Sequence, residues 1–218
     1  PTVSASYEGQ NREAFKLINS LSSAGIPILI LIYITIAFTF RSFSQPILLF
    51  CLMPVSLIGV AWGHWIHGFP VNILSLLGVI ALIGIMVNDG LVLIGKFNNN
   101  LKQNFNFNEG LIDAGKSRFR AIFLTTATTV AGLTPLLLEK SRQAQWLKPM
   151  AISVSYGIAF ATILTLILLP IFISLNNDLK VIFKWLVSGD YPDKEVVERA
   201  IIEKKEEQKM DQINNTEN

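Results

Sequence analysis

The sequence predicts an all-helical membrane protein, with five membrane-crossing helices and a charged C-terminal tail on the cytoplasmic side. Three observations lead there. The composition is 51% hydrophobic and only 16% charged, with a mean hydropathy of +0.46, which lies outside the range of ordinary soluble domains. The apolar residues are gathered into long blocks at 24–40, 46–66, 71–97, 121–138 and 150–175, and a helix of about 20 residues crosses the hydrocarbon of a bilayer. Within the third block stands Asp89, the sole formal charge between Arg41 and Lys96. A carboxylate at that depth costs roughly 2.5–3.5 kcal/mol on insertion scales, and an intramembrane acid is by default a candidate for moving an ion, a proton or a substrate.

In chain order, residues 1–23 are polar and mixed, with 11–21 able to form a short helix leading into the first span at 24–40. The chain does not begin with methionine and reads as the C-terminal piece of something longer. The second span, 46–66, contains the single cysteine, Cys51, which leaves neither a disulfide framework nor a cysteine metal site. It ends on Trp62, His64, Trp65 and His67, a pattern expected of an interfacial aromatic belt rather than a metal centre. The third span carries Gly78, Gly84, Gly90 and Gly95, small residues that let neighbouring helices approach. An asparagine-rich loop follows, and its amphipathic stretch 109–118 is expected to lie along the membrane face as a solvated connector. The fourth and fifth spans complete the bundle. Residues 178–187 are expected on the membrane surface, with Phe183 and Trp185 toward the headgroups. From 193 the tail is charged and helix-prone, with Glu195 and Arg199 spaced to pair, and is expected to be solvated; 214–218 is expected to be disordered.

An odd number of spans puts the two chain ends on opposite sides. One side holds Arg41, Lys96, Lys102, Lys116, Arg118, Arg120, Lys180 and Lys184; the other holds Arg12, Lys16, Lys140, Arg142 and Lys148. The positive-inside rule makes the first side cytoplasmic. No basic patch with interleaved aromatics indicates nucleic acid. Neither a nucleophile elbow nor a phosphate-cradling glycine loop is present, so neither serine hydrolase chemistry nor ATP-driven transport is expected of this chain, and no cofactor or metal is called for.

The candidate site centres on Asn88 and Asp89. Burial disfavours the ionised carboxylate, so Asp89 is suited to take up a proton from one side and release it to the other. Its plausible partners lie on the fourth span, where Arg118 and Arg120 precede the threonines Thr125, Thr126, Thr128 and Thr129. Arg118 and Thr125 share a helix face at a rise of roughly 10 Å, which allows a polar track facing Asp89. The bland alternatives are a capping role for Asp89, interfacial anchoring for the arginines and backbone bonding for the threonines.

The run from Gly84 to Leu93 containing Asn88-Asp89-Gly90, the run Arg118-Phe119-Arg120-Ala121-Ile122-Phe123-Leu124-Thr125-Thr126, Gly132-Leu133-Thr134-Pro135-Leu136, Leu169-Pro170-Ile171-Phe172 and Arg41-Ser42-Phe43-Ser44-Gln45-Pro46 together resemble the resistance-nodulation-division (RND) efflux permeases. The resemblance covers residues 7–175. It implies that the five spans are the eighth to twelfth helices of a twelve-helix permease, that residues 1–23 close its periplasmic porter region, and that 176–218 form a cytoplasmic tail. It further implies a proton-driven antiporter of the bacterial inner membrane exporting drugs or other toxic amphipathic compounds. The implied partners are the rest of the same permease, two further copies in a homotrimer, a periplasmic adaptor, an outer-membrane channel and the lipid bilayer. The positions matching the family's proton relay are Asn88, Asp89, Arg118 and Thr125. The multidrug members carry Lys-Asn where this chain has Asn88-Asp89, so Arg118 becomes the expected positive partner of the acid. A metal-ion or lipid exporter of the same family, and a non-transporting membrane scaffold, are the competing readings.

Overall fold

A computed structural model describes residues 10–189 and 192–216. Within them the chain forms six helices: α1 Gln10–Phe40, α2 Ser44–His67, α3 Ile73–Lys102, α4 Phe107–Leu138, α5 Arg142–Ser188 and α6 Arg199–Thr216. Four of them, α2 to α5, contain stretches long and apolar enough to cross a membrane; the apolar part of α1, Gly25–Phe40, is shorter. Residues 1–9 of the expected lead-in, and the last two of the segment 214–218, lie outside the described residues. Helix α6 continues to Thr216, so most of the expected disordered end is helical.

Local chemistry explains the turns. Helix α2 stops where Gly68 adopts a left-handed conformation (φ +66°) and its N–H reaches back to the last turn, the usual way a glycine ends a helix. Helix α3 starts with a capping box in which the Asn72 side chain accepts from the Ser75 N–H at 3.0 Å and Ser75 Oγ accepts from the Asn72 N–H at 3.2 Å. The α4–α5 turn is closed by Glu139, whose carboxylate accepts from the N–H groups of Lys140 and Ser141, both at 2.9 Å. Those two bonds hold the Glu139 carboxyl below the usual carboxylate range.

Three helices are longer than the sequence blocks. The expected lead-in and first span fuse into α1, and the stretch 109–118 is the opening of α4 rather than a separate segment along the membrane face. Residues 178–187 continue α5, which at 47 residues is roughly 70 Å long, far more than the roughly 30 Å of hydrocarbon. Polarity marks where a helix leaves lipid, but it does not stop the backbone hydrogen bonding.

Helix α5 is the hub, packing on α2, α3 and α4. It runs antiparallel to α2, as Gly59 lies against Phe160, Gly63 against Tyr156 and His64 against Ser153. It runs parallel to α3, as Gly78 lies against Met150 and Ser153, and Gly90 against Leu169. At Gly78 the approach is to backbone, because a Cβ there lies only 2.7 Å from the Met150 carbonyl oxygen and 2.8 Å from Ser153 Cβ. Of the four α3 glycines, Gly78 and Gly90 pack as expected, whereas Gly84 has open space and Gly95 only grazes Phe40.

The tail is not simply solvated. It docks on the end of the bundle formed by the α1–α2 turn, the α3–α4 loop and the end of α5. Glu203 bridges Arg41 and Lys102, each at 2.8 Å. Glu198 is buried and accepts from Asn177 at 2.7 Å and Lys180 at 3.1 Å. Glu195 does not pair with Arg199; it accepts from the Phe107 N–H at 2.8 Å, while Arg199 reaches Glu206 at 3.7 Å.

Candidate functional site

Asp89 lies on the buried stripe of α3 with Leu82, Met86 and Leu93, and is itself 6% exposed. The helical period sets this arrangement, since residues three, four and seven apart share a face. Next to it, Gly90 lets α2 and α5 close in: a Cβ there collides with the Leu49 side chain of α2 and meets Leu169 of α5 at 3.7 Å. Asp89 is therefore buried one residue from the point where α2, α3 and α5 converge on apolar side chains. Among the described residues none makes a hydrogen bond or an ion pair with it.

The other expected members fall elsewhere. Asn88 is exposed, on a different face of α3. Thr125 is exposed and its hydroxyl donates to the Ala121 carbonyl at 3.0 Å, which is the bland backbone role. Thr128 and Thr129 do the same with carbonyls of the preceding turn. Arg118 forms no ion pair among the described residues, and its Nε is buried without a hydrogen-bond partner. The expected pairing of Asp89 with Arg118 is thus absent from this arrangement; α4 presents Thr126, not Thr125, to its neighbour.

Thr126 is buried and shares a hydrogen bond with Thr162 of α5. One turn further along α5, Thr165 is 1% exposed and its buried hydroxyl has no partner among the described residues. Thr165 shares a face with Leu169, the residue that meets Gly90, so it stands about one 5.4 Å turn from the level of Asp89. Buried hydroxyls at about this level of the bundle therefore come from α5. A signal for them was present in the sequence, as Thr162 and Thr165 interrupt an otherwise apolar run.

At the opposite end from the tail, His64 is buried between the Phe69 carbonyl and Ser153 Oγ, both at 3.0 Å, and His67 Nε2 lies 3.0 Å from Tyr156 Oη. The histidines tie α2 to α5, while Trp62 and Trp65 are exposed as an aromatic belt requires. Among the described residues no group of His, Cys, Asp and Glu has the spacing of a metal site.

Comparison with known proteins agrees with this organisation. The AcrB/AcrD/AcrF family model matches residues 1–176. The swarming motility protein SwrC of Bacillus subtilis is 27% identical over 170 residues, which are 78% of this chain and 16% of SwrC. The multidrug resistance protein MdtC of Proteus mirabilis is 23% identical over 171 residues, 78% of this chain and 17% of MdtC. The crystal structure of a heavy metal efflux pump superposes with a TM-score of 0.69 at 26% identity, covering 77% of this chain and 17% of the pump. The chain thus spans about a sixth of the length of the relatives it matches.

Proposed function

The chain belongs to the AcrB/AcrD/AcrF family of resistance-nodulation-division permeases, and from that premise we propose that it supplies the proton-handling half of an efflux permease's membrane domain. The family is one of efflux transporters, not enzymes. In this reading the bundle sits in the bacterial inner membrane with α6 on the cytoplasmic side. Asp89 takes up a proton, its neutral form fits the apolar contact of α2, α3 and α5, and release of the proton repacks those helices. The repacking drives export through parts of the permease that lie outside this chain.

The single observation that carries the reading is the burial of Asp89 without a partner. A carboxylate placed for structure alone is expected to be bound by donors, because a buried unpaired charge is strongly destabilising. A carboxylate that must exchange a proton needs its oxygens available. Thr165 and Thr162 extend the polar path from the acid toward Thr126 of α4. The exposed Asn88, Thr125 and Thr128 face the place where the remaining helices of the permease complete the relay, with Arg118 at its edge.

The proposed cargo is drugs or other toxic amphipathic compounds, and the proposed assembly is a homotrimer with a periplasmic adaptor and an outer-membrane channel. A metal-ion cargo is the second reading, favoured by the similarity to a heavy metal efflux pump. The intact permease carrying Asp89→Asn tests the proton role: export stops at unchanged expression, whereas undiminished export removes Asp89 from the mechanism. Cells expressing the intact permease, challenged in parallel with cationic dyes and with zinc or cobalt salts, separate the two cargoes.

A further inference from the structure

At the tail end of the bundle an apolar groove of about 290 Å³ opens where α1 turns into α2. Tyr33, Ala37, Phe38 and Phe43 line it, and Arg41 and Arg199 complete its wall. The floor is low because Ala37 is small and buried, while the rings of Phe38 and Phe43 stand 79% and 78% exposed on either side. The Tyr33 hydroxyl donates to the Phe43 carbonyl at 2.9 Å and fixes the turn. Large exposed aromatic faces beside a trough make a surface that hydrocarbon covers and water does not.

The two guanidiniums give the trough a polar end. Arg41 places Nη1 on Glu203 and is otherwise open, its side chain 65% exposed. Arg199 makes the long contact of 3.7 Å to Glu206 and stands near enough to Glu203 to act on its charge. The Glu203 carboxylate is also shared with Lys102, and the Lys204 ammonium is held only by neutral oxygens, the Lys102 carbonyl and Asn104 Oδ1. Four cations thus meet two carboxylates at this mouth. Guanidinium forks match the paired oxygens of a phosphate, and basic groups beside a membrane attract anionic headgroups.

We propose that this groove binds one anionic phospholipid, with its phosphate between Arg41 and Arg199 and an acyl chain against Phe38 and Phe43. The site stands apart from the transport reading. Since Arg41 belongs to the α1–α2 turn and Arg199 to α6, the lipid joins the tail to the bundle in parallel with Glu203.

The test uses the intact permease in nanodiscs containing equal amounts of phosphatidylglycerol and phosphatidylcholine with the same acyl chains, followed by native mass spectrometry of the lipid retained in detergent. Phosphatidylglycerol is retained in excess, and excess inorganic phosphate does not displace it. Retention falls about fivefold for each arginine removed in Arg41→Gln and Arg199→Gln, with phosphatidylcholine unchanged. Filling the groove with Ala37→Leu lowers retention while leaving both arginines in place. Equal retention of the two lipids overturns the proposal, as does finding no retained lipid, or displacement by phosphate. So does an equal loss in Lys180→Gln, which removes a tail-end cation outside the groove.

Discussion

Asn88 and Asp89 are consecutive on α3, and the helix turns them into opposite surroundings: Asp89 is 6% exposed among apolar side chains, whereas Asn88 is exposed. The acid is buried within this chain, beside the point where α2 and α5 meet α3 at Gly90. The amide faces outward, toward whatever packs on the free side of α3 and α4. In the proposed mechanism a proton on Asp89 acts on packing inside the bundle, while Asn88 faces what lies outside it.

The α5 hydroxyls separate transport from stability. Thr165→Val removes a buried hydroxyl that has no partner among the described residues, and is expected to leave thermal stability unchanged or slightly raised while slowing export. Thr162→Val breaks the bond to Thr126 and leaves that buried hydroxyl unsatisfied, at a cost of about 1–3 kcal/mol. Thermal unfolding in detergent, beside a dye-efflux assay, distinguishes the two.

Packing at the α3 glycines gives an internal control. Gly78→Ala drives a methyl group onto the backbone of α5 at Met150, which cannot swing aside, and is expected to destabilise the bundle by about 1–3 kcal/mol. Gly84→Ala meets open space on the same helix and is expected to be neutral or stabilising, since alanine is the better helix former. The difference between their midpoints in a denaturation series checks the pairing of α3 with α5.

Tail docking depends on pH in a direction fixed by Glu203. The hydrogen bond from Lys102, with the nearby charges of Lys102, Arg41 and Arg199, holds its carboxyl below the usual carboxylate range. A depressed value in the docked state means that the stabilisation is complete above the undocked value, about 4.3 for an ordinary glutamate, and is lost as pH falls through the docked one. The tail is thus expected to stay docked at pH 5 and above and to release only in stronger acid. Glu203→Gln is expected to weaken docking at neutral pH. A cysteine pair bridging α6 and the α3–α4 loop, with its disulfide yield followed against pH, reads this directly.

Glu195 caps α4 from the tail, since Asn106 supplies no side-chain cap of its own. Glu195→Ala is expected to cost about 1 kcal/mol and to raise hydrogen exchange in the first turn of α4, while exchange in α2 is unaffected.

The apolar blocks 46–66 and 71–97 are legible as helices because each is one long uninterrupted run, and α2 and α3 contain nearly all of both. The burial of Asp89 was legible for the same reason. Which threonine of α4 faces inward was not. Thr125, Thr126, Thr128 and Thr129 fan over nearly half of the helix circumference, and only the position of Thr162 on α5 selects Thr126. The tail was misread because its partners lie far along the chain: Glu203 meets Arg41, and Glu195 meets Phe107. A charged, helix-prone segment looks the same whether its carboxylates face water or distant lysines and arginines. Helix ends were also hidden, because α4 and α5 run on through polar residues without a break, and neither Gly110 and Gly115 in α4 nor Pro149 in α5 stops the helix.

Whether Asp89 gains and loses a proton during turnover is the question on which the functional account rests. Infrared difference spectroscopy of the intact permease, comparing substrate-bound with substrate-free protein, reads the carbonyl stretch of a protonated carboxyl group. A band that appears or disappears with substrate, and that is missing in Asp89→Asn, is the predicted result. An identical difference spectrum in the wild-type protein and Asp89→Asn contradicts the account.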